Sequence, residues 1–103
     1  NINNEIIEAT SANLFILLNG KWHTPDVSQS GVNGIMRQAI LQRYPEIPIK
    51  PLTLDDVIKA QAMFICNCVM GVMPVSVFND QKLSIEPVLR IQEFMNKEVN
   101  KYD

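Results

Sequence analysis

The sequence predicts a domain of mixed α and β structure, and three kinds of stretch carry that expectation. "NLFILLNGKWH", residues 13–23, has two apolar runs flanking Asn19-Gly20, the favoured two-residue hairpin turn, so the sheet is not purely parallel. "AMFICNCV", residues 62–69, is a short continuous apolar run of the length of a buried strand. By contrast, residues 35–43 and 85–101 place apolar side chains at helical spacing.

The elements follow in order from local chemistry. "NNEIIEAT", residues 3–10, reads as a short strand ahead of the hairpin. Thr24-Pro25 opens a polar loop, "TPDVSQSGVNG", rich in the residues that favour turns. A helix is expected from Ile35 to about Arg43 with Ile35, Ala39 and Ile40 on one face, and Tyr44-Pro45 ends it. "IPIKPL" is extended and bounded by prolines. Thr53 and Asp56 have the spacing of a capping box at the start of "TLDDVIKAQ". After the apolar strand, Met70 to Met73 read as a loop ending at Pro74, "VSVF" as a further strand, and Asn79-Asp80 as a turn into a short return. Ser84 is the expected N-cap of a last helix, Ile85 to Lys101, whose apolar stripe is Val88, Ile91, Met95 and Val99.

Composition restricts the function classes. The chain has 103 residues, 47% hydrophobic and 19% charged, with a net charge of −2, which fits one small domain spanning 1–103. Scattered lysines and arginines within that mild negative balance argue against nucleic acid as a partner. No apolar run approaches the ~18 residues of a membrane helix, and no signal-peptide pattern is visible. The start at "NINNEIIEAT", without Met, reads as a piece of a longer chain. Cys66 and Cys68 with the single His23 do not make a zinc set, and no metal site is expected. Two reduced thiols of a cytoplasmic protein is the reading they support.

One stretch invites a ligand. "SGVNGIMRQAI", residues 30–40, sets Gly31 and Gly34 just before a helix, and a helix start carries free N–H groups and the positive end of its dipole. It is not a nucleotide P-loop, because the Gly-Lys-Ser/Thr ending is missing. Taken alone, the pair of glycines fits a tight turn as well as an anion site.

The wider pattern resembles a known family. E-x-T-x-x-N-L-F from Glu8, W-x-T ending at Thr24, and V-x-G-I-x-R ending at Arg37 together resemble the signature of the class IV aminotransferases, with Trp22 where the family usually has an aliphatic residue. "SGVNGIMRQ" and "FICNCVMGVMPV" are most similar to the family's aminodeoxychorismate lyase branch, with the likeness fading after about Asn79. The resemblance implies the C-terminal domain of the D-amino-acid aminotransferase-like fold, a mixed or antiparallel, partly barrel-like sheet with flanking helices. It implies pyridoxal 5'-phosphate as cofactor, a small-molecule substrate, and a homodimeric parent enzyme that makes p-aminobenzoate and pyruvate for folate. A transaminase of the same fold and a non-catalytic association domain are the alternatives.

Residue by residue, the resemblance implies that Glu8 faces the ring nitrogen of the cofactor, where a carboxylate favours the protonated form. Gly34 and the N–H groups of Ile35 and Met36 match the phosphate cradle, completed by Asn67 and Cys68. The family more often has Thr at the position of Cys68, so a main-chain contact is expected there. Asn13 and Thr24 are expected to fix the hairpin and loop, Arg37 to form a structural ion pair, and His23 to lie exposed. Met70, Val72 and Met73 read as core. None of Lys21, Lys50, Lys59, Lys82, Lys97 or Lys101 matches the family's Schiff-base motif, so the 103 residues alone are expected to be inactive.

Overall fold

The structure is a computed structural model that describes residues 12–27 and 34–100, with side chains as far as 96. The strand expected over residues 3–10 therefore lies outside the described residues, as do Glu8 and Gly31. Within them, strand β1 (Asn13–Leu18) turns through Asn19-Gly20 into β2 (Lys21–His23). Both turn residues have positive φ, 50° and 79°, the conformation a tight primed hairpin turn requires. Helix α1 (Ile35–Arg43) opens after Gly34, and the short α2 (Leu54–Ile58) follows the proline-bounded segment. Strands β3 (Ala62–Asn67) and β4 (Gly71–Pro74) form a second hairpin. A two-stranded ribbon, β5 (Val77–Phe78) and β6 (Gln81–Lys82), then leads to α3 (Glu86–Asn100).

The four long strands make one antiparallel sheet in the order β2-β1-β3-β4, with Phe15 opposite Phe64 and Asn13 opposite Cys66. Alternation along β1 and β3 gives each face its own core. Phe15, Phe64, Cys66 and Val72 pack under Met36 and Ile40 of α1 and Val88, Ile91 and Met95 of α3. The Phe15 and Phe64 rings stack at 4.8 Å, and Trp22 meets Phe64 edge-on at 5.1 Å. Trp22 thus serves packing, as its departure from the family pattern suggests. On the opposite face Ile16 and Met63 are covered by Leu52 and Ala60, with Phe78 and Leu83 packed against them.

Several expectations need correction. Residues 71–74 form a strand rather than a loop, because the Asn67 carbonyl oxygen Oδ1 accepts from the N–H groups of Val69 and Met70 and folds the chain back. Gly71, at φ 72°, completes the turn. Of the cluster read as core there, Val72 is buried, but Met70 and Met73 are each 40% exposed. Only Val77–Phe78 of "VSVF" is a strand; Val75 instead donates its N–H to the Met63 carbonyl. In α1 the buried positions are Met36, Arg37 and Ile40, whereas Ile35 is 72% exposed, so the inward face is turned by one residue from the expected stripe. Helix α3 begins at Glu86, one residue later than expected: the Ile85 carbonyl accepts from Val88 and Leu89, which puts the cap at Ile85 rather than Ser84. The side chain of Val99 lies outside the described residues.

Candidate functional site at the start of helix α1

The polar side chains buried among the described residues are Asn13, Thr24, Arg37 and Asn67. They gather at one end of the sheet. Asn13 opens β1 and stands opposite Cys66, and Asn67 closes β3 one residue further on. Thr24 donates its hydroxyl to the Leu14 carbonyl at 2.7 Å, which ties the loop after β2 back to β1. Arg37 reaches from the first turn of α1 to the Pro25 carbonyl, its Nη2 donating at 3.2 Å. Asn13 and Thr24 thus fix the hairpin and loop as expected. For Arg37, expected in a structural ion pair, the structure shows a hydrogen bond to the Pro25 carbonyl.

Helix α1 starts without a side-chain cap of its own. Gly34 is the N-cap, extended at φ −66° and ψ 155°, and its carbonyl accepts from Gln38 at 3.0 Å. The Gly34 N–H donates to Asn13 Oδ1 at 3.2 Å. The N–H groups of the first helical turn, Ile35 and Met36 among them, have no carbonyl within the helix to bond. They point out of the helix start, where the dipole amounts to roughly half a positive charge. This is a donor set suited to a phosphate oxygen.

The glycine at 34 has a cause in packing. A Cβ there would stand 2.7 Å from Asn13 Oδ1, closer than such contacts occur. Its backbone is ordinary for any residue, so space rather than conformation selects glycine. The demand for bare backbone comes from the Asn13 side chain.

At the other strand end, Asn67 spends its Oδ1 on the N–H groups of Val69 and Met70 and so shapes the β3–β4 turn. Cys68 is exposed in that turn, and Cys66 is buried. Burial, then the neighbouring Cys68, push the Cys66 thiol from an ordinary 9.0 up to about 12. The positive charge of Arg37 and a hydrogen bond from the Asn13 main chain act against that rise. Asn13 thus joins Cys66, its partner across the sheet, to Gly34 at the start of α1. His23, expected to lie exposed, is half-buried instead, because β2 pairs with β1 there, and its Nδ1 is hydrogen-bonded with the Lys21 carbonyl at 2.9 Å. Among the described residues no group of three His, Cys, Asp or Glu could hold a metal, and no helix is long and apolar enough to cross a membrane.

Residues 1–78 match the model of the amino-transferase class IV family. The chain belongs to that family. An aminodeoxychorismate lyase from Vibrio harveyi is 38% identical over 80 residues, which are 74% of this chain and 30% of the lyase. Among solved structures, the 4-amino-4-deoxychorismate lyase of Pseudomonas aeruginosa superposes with a TM-score of 0.72 at 25% identity, over 84% of this chain and 34% of that one. An aminotransferase from Brucella abortus, bound to its cofactor PLP, has a TM-score of 0.71 at 24% identity over 84% of this chain and 32% of its own. The chain thus spans about a third of the length of these class IV relatives. Their shared fold is the one the signature residues imply, down to the antiparallel sheet and flanking helices.

The contact between Asn13 and Gly34 was not readable from the sequence. It joins residues 21 apart, and no local pattern reports it. The one available signal was that both residues belong to the class IV signature.

Proposed function

We propose that these 103 residues are the cofactor-binding C-terminal domain of a longer, homodimeric, cytoplasmic aminodeoxychorismate lyase, which converts 4-amino-4-deoxychorismate to p-aminobenzoate and pyruvate. The observation that carries the reading is the helix start that lacks a cap of its own, built from Gly34, Ile35 and Met36, in a chain 38% identical to a lyase of that name. A chain of this family with such a donor set fits the phosphate of pyridoxal 5'-phosphate. When bound, that cofactor supplies an electron sink for the pair left on the substrate carbon.

The chain's own residues have separate tasks in this reading. The Ile35 and Met36 N–H groups bind phosphate oxygens, and the dipole of α1 favours their charge. Glu8 holds a proton on the ring nitrogen, since a carboxylate beside a pyridinium stabilises the charged form. Asn67 shapes the turn that presents Cys68, which contributes through its main chain. The Schiff-base lysine comes from outside these 103 residues. Lys59, in keeping with that, is committed to Asp55 on the surface at 2.9 Å, and Lys21, Lys50 and Lys82 are exposed. The 103 residues alone are accordingly inactive.

The deciding experiment is an assay of the full-length protein with aminodeoxychorismate and no added keto acid. Release of pyruvate and p-aminobenzoate is the expected result. Turnover that depends on a keto acid would make the enzyme a transaminase, the reading favoured by the class IV aminotransferase neighbour.

A further inference from the structure

We propose that Asn13 is the positioning residue of the phosphate end: its buried amide sets where the Ile35 and Met36 N–H groups stand. The proposal rests on the cofactor reading above. Asn13 does not reach the ligand in this account; it acts through Gly34. Its Oδ1 takes the N–H immediately before the helix, serving as a cap supplied from another element. Because that amide is occupied, the next two donors are left to face outward.

The packing makes the contact specific. Asn13 is 2% exposed, and a Cβ at position 34 would stand 2.7 Å from its Oδ1, so any other residue at the cap must displace the Asn13 amide. Asn13 is itself held by register with Cys66 at the end of the two central strands. Two further bonds tie α1 to the same strand region through Thr24 and Pro25, Thr24 to the Leu14 carbonyl and Arg37 to the Pro25 carbonyl. The start of α1 is therefore referenced to the sheet through side chains. A small loss at Asn13 moves the donors as a set.

The test uses the full-length protein and pyridoxal 5'-phosphate as probe, with three readouts: the dissociation constant, the phosphorus-31 shift of the bound phosphate, and the melting temperature without cofactor. Asn13→Ala removes the acceptor and is expected to weaken binding by about tenfold and to move the phosphorus resonance. Asn13→Asp keeps both the accepting oxygen and the shape, so it tests the same point if the alanine variant does not fold. It sets a buried carboxylate next to amides meant for an anion and is expected to weaken binding and to lower the melting temperature as well. Gly34→Ala is expected to weaken binding too, but by less in the Asn13→Ala background, where the crowding oxygen is gone. An unchanged dissociation constant and phosphorus shift in both Asn13 variants would overturn the positioning role while leaving the cofactor reading intact. Failure of the unsubstituted protein to bind the probe would overturn both.

Discussion

Two cysteines separated by one residue have opposite chemistry here, and the cause is strand geometry. Cys66 points into the core beneath the helices, while Cys68 sits in the exposed turn. A thiol held protonated up to about 12 is unreactive at neutral pH, since the thiolate is the nucleophile. Native protein at pH 8 is expected to titrate one thiol quickly with a disulfide reagent and the second only on unfolding; two fast thiols would contradict the burial of Cys66. Linkage follows with a definite sign. The unfolded thiol ionises near 9.0 and the folded one near 12, so the folded state binds more protons between them. The contribution of Cys66 is complete below pH 9 and is lost as pH rises toward 12, an effect absent in Cys66→Ala. Thr24 is the other informative residue. It is fully buried with its hydroxyl on the Leu14 carbonyl, and Thr24→Val is expected to cost about 1–3 kcal/mol in denaturant unfolding, since the carbonyl loses its partner.

At the scale of elements, what could be read from the sequence was what neighbouring residues decide. The Asn19-Gly20 and Asn79-Asp80 turns, the end of α1 at Tyr44 and the box at α2 all depend on contacts within a few residues. The box closes from both sides: Thr53 Oγ1 accepts from the Asp56 N–H at 3.1 Å, and Asp56 accepts from the Thr53 N–H at 3.0 Å. That backbone bond holds the Asp56 carboxyl below its ordinary 3.8. Its support is present above that value and is lost as pH falls through the lower, folded value. Thr53→Ala should lower the melting temperature by roughly 4–8 °C, and an unchanged value would show that α2 is held by packing alone. What was not legible depends on distant partners. Gly71 and its flanking methionines carry no strand alternation, and only pairing with β3 makes β4 a strand. The exposure of Ile35 and burial of Arg37 likewise follow from how α1 lies on the sheet. For the site, the resemblance named Gly34, Ile35 and Met36, and the structure supplied the cap donated by Asn13.

The whole molecule joins two cores through one sheet, and the larger has aromatic stacking at its centre. A domain of this size has a small stability margin. Phe64→Ala, which removes the ring that both Phe15 and Trp22 touch, is expected to cost about 3–5 kcal/mol, enough to unfold the isolated chain. Arg43 adds an outer clasp, its guanidinium lying 4.3 Å from the Phe94 ring centre and 5.0 Å from that of Tyr44. Exposed apolar side chains at Ile35, Leu54 and Val69 suit a domain covered by further protein. The 103 residues alone should therefore self-associate in light scattering, and a strictly monomeric mass would count against that. In the proposed reading the start of α1 holds the phosphate of the cofactor. Its most direct test is a crystal structure of the full-length protein with pyridoxal 5'-phosphate. Phosphate oxygens are expected within about 3 Å of the Ile35 and Met36 nitrogens. A phosphate seated away from residues 34–36 would contradict it.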